Sequence, residues 1–262
     1  MALTCSITHI GGPTALIQVG ELRLLTDPTF DPPGRHYNFG LPFIGSTKTA
    51  GPALELDDLG RIDAVLLSHD QHQDNLDLRG RDSLGRASKV LTTIAGARRL
   101  GGNAEGLRPW ESMVLGKDEN LVTVTATPAR HGVPGIHLLS GPAIGFFLEW
   151  PGQHHGGLYI SGDTVYFGGV DKIARRFKIS VAVLHLGGVR FRASGPARYT
   201  FNSAEAAKAA TTLRARTVVP IHYEGWSHFR TPRPEIEAAF AAVGQADGLR
   251  WPEPGKSIEL DV

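Results

Sequence analysis

The apolar run Ala64–Leu67 breaks without a linker into SHDQHQDNLD, and this junction constrains the fold more than any other feature of the chain. A short apolar run with such a boundary reads as a fully buried strand, so His69, His72 and Asp74 stand just beyond a strand end. Three groups able to ligate a metal within six residues are rare by chance, and their grouping points to an ion-binding loop. The pattern recurs. His131 follows VTVTATPAR, His222 follows TVVPI, and the strand-like LYIS runs into Gly162-Asp163-Thr164. Four such strand ends would bring imidazoles and carboxylates from distant segments to one edge of a sheet, which is how a metal site is assembled. A lone histidine is more often hydrogen-bonded or exposed than a ligand. His9, His36, His137, His154 and His155 are therefore read as surface residues, and His185 in VAVLHLGG as buried and structural.

At 262 residues the chain exceeds the ~100–200 of an average domain but stays near the size that large α/β folds reach as one unit, so a single domain over 1–262 is expected. Lys and Arg number 27 against 26 Asp and Glu, so no global field recruits a polyanion and a nucleic-acid partner is not expected. The only cysteine, Cys5, excludes an internal disulfide and suits a reducing compartment. No apolar run approaches the ~20 residues of a membrane span, and the start MALTCSITHIGG lacks a leader pattern. A cytoplasmic location is expected on these grounds.

Strand-like runs at 6–10, 15–19 and 22–25, punctuated by glycine, predict an antiparallel meander. Residues 26–60 are dense in Pro and Gly and lack periodicity, which marks a functional loop. Within it, 31–50 is expected to wall the metal edge with Phe39 and Phe43. Strands are predicted at 64–67, 121–127, 144–150, 158–161, 181–186 and 217–221. Helices are predicted at 97–100, 171–178, 204–214 (capped by Asn202 or Ser203) and 234–243. Residues 257–262 are expected to close the second of two sheets, with helices outside.

SHDQHQDNLD resembles the HxHxDH signature of the metallo-β-lactamase fold superfamily, and PARHG, YISGDT and PIHYEGW follow in the family's order. The chain is most similar to the branch containing the ascorbate-6-phosphate lactonases and N-acyl-phosphatidylethanolamine phospholipase D, of which TDPTF and TPAR are typical. The likeness runs from Ile7 to about Phe240. It implies an α+β fold, a four-layer αββα sandwich with a metal site at one edge between the sheets. His69 matches the first histidine of the signature. The second is Gln71 by direct spacing, or His72 if the loop holds one extra residue; DNLD matches the family's DHLD and favours His72. Asp74 matches the aspartate, Asn75 stands in place of the third histidine, and His131, the bridging Asp163 and His222 match the remaining positions. His69, His72 and His131, with Asp163, suit zinc or manganese. Asp74, Asn75, Asp163 and His222 make an oxygen-rich second site suited to manganese or loosely held zinc, so one or two divalent ions are expected.

The resemblance implies a metal-dependent hydrolase acting on a small ester, lactone or phosphodiester through metal-activated water. Asp74 is expected to orient that water, as ligand or as base. His228, in HYEGWSHF, is expected to give a proton to the leaving group. Trp226 either walls the substrate or, with Phe229, packs the loop. Asp27 either holds a ligand histidine or caps the turn before Pro28. Arg175, Arg176, Lys178, Arg190, Arg192 and Arg198 are read as solvated; turned inward, they would favour an anionic substrate. The competing class, motivated by Asn75 and Gln71, is a degenerate fold that binds a ligand or partner without turnover.

Overall fold

The computed structural model describes residues 3–41 and 44–262. Its first sheet comprises β1 (Cys5–Gly11), β2 (Thr14–Val19), β3 (Leu22–Thr26), β6 (Ile62–Leu66), β7 (Ala87–Thr93), β8 (Ala104–Leu107) and β15 (Ser257–Leu260), in the order β15-β1-β2-β3-β6-β7-β8. The hairpin β4 (His36–Leu41) and β5 (Ile44–Thr47) lies between β3 and β6 in sequence. The second sheet runs β14-β13-β12-β11-β10-β9, from β9 (Ser112–Leu115), β10 (Val122–Pro128), β11 (Ile144–Glu149), β12 (Gly157–Ile160), β13 (Ile179–His185) and β14 (Thr217–Ile221). The helices are α1 (Leu78–Leu84), α2 (Ile94–Leu100), α3 (His137–Ser140), α4 (Gly168–Arg176), α5 (Ser203–Leu213) and α6 (Arg233–Ala242).

Strand alternation sorts the apolar residues into layers. Leu158 and Ile160, Val181 and Val183 face the first sheet's Ile17, Leu24 and Leu66 in one shared core. Their neighbours Tyr159, Ala182 and Leu184 point the other way, onto α4, α5 and α6. On the outer face of the first sheet, Leu25, Val65 and Val90 meet Leu76 and Leu84 of the α1 segment. The result is the expected αββα sandwich.

One reading needs correction. Residues 257–260 pair antiparallel with β1, Cys5 opposite Leu260, so this strand closes the first sheet rather than the second. The N-terminal meander is as expected, but β7, β8, β9 and α1 were not read from the sequence. Their runs are short and interrupted by polar residues.

Topology gathers the strand ends. β12, β13 and β14 are parallel, and β10 points the same way because it is antiparallel to β11, which is antiparallel to β12. Their carboxyl ends therefore share one edge. Parallel pairing of β3 with β6 sets Asp27 and Ser68 side by side just beyond that pair.

Candidate metal centre

The loop after β6 is fixed from behind. Asp27 Oδ1 accepts from Ser68 N at 2.7 Å, and Ser68 Oγ lies 2.9 Å from His69 Nδ1, which turns His69 Nε2 forward. Likewise, His131 Nδ1 donates to the Tyr199 carbonyl at 3.0 Å, so the Nε2 lone pair is free. A hydrogen bond on one ring nitrogen fixes which nitrogen is left for a ligand. His72 Nδ1 then lies 3.1 Å from His69 Nε2 and 2.9 Å from His131 Nε2. With metal–nitrogen bonds of about 2.0–2.1 Å, neighbouring ligand atoms of a tetrahedral ion stand ~3.4 Å apart and those of an octahedral one ~2.9 Å. The two separations at His72 have the dimensions of a coordination shell.

Asp74, Asp163 and His222 form a second trio, and the ligand atoms within each trio all lie within 4.8 Å of one another. His222 Nδ1 is 3.0 Å from Asp163 Oδ1, and its Nε2 is 3.7 Å from Asp74 Oδ2. The backbone accepts strain to achieve this: His222 has φ 56°, a left-handed value uncommon outside glycine. Before Asp163, Gly162 (φ +57°) leaves no room for a side chain, because a Cβ there would meet the Ile144 carbonyl oxygen at 2.5 Å.

The electrostatics suit a cation. Burial, then the neighbouring imidazoles, push His69 far down, and the same causes push His72 to about 4; both rings are neutral near pH 7. Burial would raise Asp74, but the hydrogen bond and charge of His228 and the charge of His222 outweigh it and hold the carboxyl below the usual range. Burial likewise opposes ionisation of Asp163, and His222 overrides it. His222 itself is raised: burial alone would lower it, and Asp163, Asp74 and Asp27 prevail. Two ionised, buried carboxylates call for positive charge. Asp74 Oδ1, Asn75 Oδ1 and both His222 ring nitrogens are buried without a well-aligned hydrogen-bond partner, as atoms reserved for an ion would be. The donor set therefore fits one or two divalent metals. Asn75 is fully buried, its amide nitrogen 3.5 Å from Asp163 Oδ1.

Several expectations are refined. Gln71 turns away: its Nε2 donates to the Ser140 and Pro142 carbonyls, each at 3.0 Å, and His72 takes the place in the trio. His228, expected to face the leaving group, has both ring nitrogens engaged. Nε2 is 2.9 Å from Asp74 Oδ2 and Nδ1 meets Ser46 Oγ, so in this arrangement it braces Asp74. Trp226 is buried against Tyr37, with ring centroids 5.4 Å apart, and packs the loop. Asp27 reaches the ligand loop through Ser68 N; its other oxygen lies 3.2 Å from His185 Nε2, and His185 is buried as expected. His9, read as surface, is buried, with Nε2 3.0 Å from the Gly12 carbonyl oxygen.

A cavity of about 380 Å³ opens over His72, Asp74 and His131. Phe39 and Ile44 of the β4–β5 hairpin wall one side, and Val189, Phe191 and Tyr199 wall another. Phe39 lies 5.5 Å from the His72 ring, so the hairpin occupies the metal edge; Phe43 falls outside the described residues. Sequence reasoning missed Ser46, Ser68 and Tyr199. Only the last two could have been suspected: Ser68 from its place beside His69, and Tyr199 from an aromatic in a loop after a strand.

Residues 22–223 match the model of the beta-lactamase superfamily domain. The chain belongs to the metallo-β-lactamase superfamily. Within it, a UPF0173 metal-dependent hydrolase from Methanocorpusculum labreanum is 30% identical over 77% of this chain and 84% of its own length. The same fold is seen in a possible metal-dependent hydrolase from Veillonella parvula, at TM-score 0.82, 20% identity and coverage of 97% and 99%. An isothiocyanate hydrolase from Delia radicum gut bacteria aligns at TM-score 0.78, 22% identity and coverage of 97% and 98%. These superfamily structures speak to the fold.

Proposed function

We propose that the protein is a metal-dependent hydrolase of a small ester, lactone or phosphodiester. The observation that carries this reading is the pair of ligand trios, three of whose members, His72, Asp74 and His131, line a cavity large enough for a small molecule. The metal-dependent hydrolase names of relatives such as the Methanocorpusculum labreanum protein agree with it. We assign His69, His72 and His131 to one ion and Asp74, Asn75, Asp163 and His222 to the other, with zinc or manganese as the candidate metals.

A bound divalent ion supplies Lewis acidity toward water and toward the carbonyl or phosphoryl oxygen under attack. The chain's own residues do the rest. Asp74 lines the cavity with Oδ1 unpaired while His228 holds Oδ2, so the unpaired oxygen is available to orient the water, as ligand to the ion or as base. Phe39, Val189 and Phe191 exclude bulk solvent from the reacting bond.

Asp74→Asn tests the reading. The amide keeps the shape and loses both charge and basicity, so kcat on p-nitrophenyl acetate should fall about 100-fold or more when compared at equal metal content and below the melting temperature of the variant. Unchanged turnover at equal metal content would remove Asp74 from the chemistry.

A further inference from the structure

The cavity over the centre is short of charge. Among the described residues that line it, the acidic and imidazole groups are those of the metal floor, and none is Lys or Arg. Its two wall serines are turned to their own backbone, Ser140 Oγ to the Ile136 carbonyl at 3.3 Å and Ser194 Oγ to the Phe191 carbonyl at 3.1 Å. The remaining wall is aliphatic and aromatic, and Phe191 packs against both Phe39 and Tyr199 at 5.8 and 5.4 Å between ring centroids.

The basic residues that might have turned inward do not. Arg190 and Arg192 are exposed, and Arg198 is held by Glu205 at 2.7 Å. Arg98, Arg108 and Arg130 line a separate cavity that shares only His131 with this one. An anionic substrate tail, directed away from the metal edge, would therefore lose its hydration against apolar walls that carry no cationic side chain to replace it, which is unfavourable. An alkyl or aryl tail would gain by the same burial. The rim extends this preference: Leu139 lines the cavity and is 74% exposed.

The geometry points to a substrate whose body beside the reacting bond is apolar and uncharged, a neutral alkyl or aryl ester or lactone rather than a sugar phosphate or a dicarboxylate derivative. This rests on the hydrolase reading and narrows it. Phe39, Val189 and Phe191 are its specificity-determining residues, and Leu139 guards the mouth.

The test is a matched set of p-nitrophenyl esters on metal-loaded protein. From acetate through butanoate to hexanoate, kcat/KM should rise roughly fourfold per methylene. The ester of 5-sulfopentanoate, similar in length to hexanoate and ending in a weakly ligating anion, should fall on the order of 100-fold below hexanoate. Leu139→Lys, at an exposed position, should raise the sulfonate ester relative to hexanoate about fivefold. A sulfonate ester turned over as well as hexanoate would overturn the inference and leave the hydrolase reading standing. If no ester, lactone or phosphodiester turns over, that reading fails, and thermal shifts with hexanamide and 5-sulfopentanamide still decide whether the cavity takes an apolar, uncharged body. A larger rise with hexanamide supports it; equal shifts, none, or the reverse order overturns it.

Discussion

At position 75 an amide stands where the superfamily signature carries an imidazole; its nitrogen faces Asp163 and its oxygen lies buried without a donor. A neutral oxygen binds zinc less firmly than an imidazole does. Protein purified without added metal should therefore hold closer to one ion than two by elemental analysis, and Asn75→His should raise the count toward two. His228 makes a contrasting case. Because its ring nitrogens are taken by Asp74 and Ser46, His228→Ala should lower kcat by a similar factor, about 10-fold, for p-nitrophenyl and for less acidic phenyl esters. A loss concentrated on the poorer leaving group would restore His228 as a proton donor. The candidate ligands were legible because each follows closely on a short strand-like run. The partners of His228 were not, since Ser46 is 182 positions away and no local pattern joins them.

The β4–β5 hairpin shows what an element adds to its residues. Alternation along β5 and into the residue that follows it puts Ile44 on the cavity, Ser46 on His228 and Lys48 on Asp77. Lys48 and Asp77 form a buried ion pair at 2.8 Å, and Asp77 also accepts from the backbone of Phe30, Asp31 and Gly80. The wall of the cavity is thus tied to the start of α1. Removing one partner of a buried pair leaves the other charge unpaired. Lys48→Met should cost roughly 3 kcal/mol in denaturant unfolding and loosen the hairpin enough to raise KM for apolar esters. From sequence this stretch reads only as a loop, because HYNFGL and IGST are short and do not alternate cleanly. The strand at 257–260 fails differently. Its alternation shows which face is buried but not which neighbour it pairs with, and so it was assigned to the wrong sheet.

At the scale of the whole molecule, the fold class was legible because apolar runs and helical stretches follow one another in a two-sheet order. The relative placement of the sheets came from the resemblance, since no local pattern encodes it. Neither trio belongs to a single sheet. His69, His72 and Asp74 follow β6 of the first sheet, whereas His131, Asp163 and His222 follow β10, β12 and β14 of the second. A chelator should therefore lower the melting temperature of metal-loaded protein by several degrees, and excess metal should raise it in a concentration-dependent way; a melting temperature indifferent to metal would count against both trios. The bound ion would act as a cross-link. It joins segments 59 positions apart between His72 and His131, and a covalent tie closing a loop of that size is worth about 4 kcal/mol in the chain-entropy model. Metal supply would then govern the survival of the protein against proteolysis as well as its rate, with the metal-depleted chain opening along the seam between its two sheets.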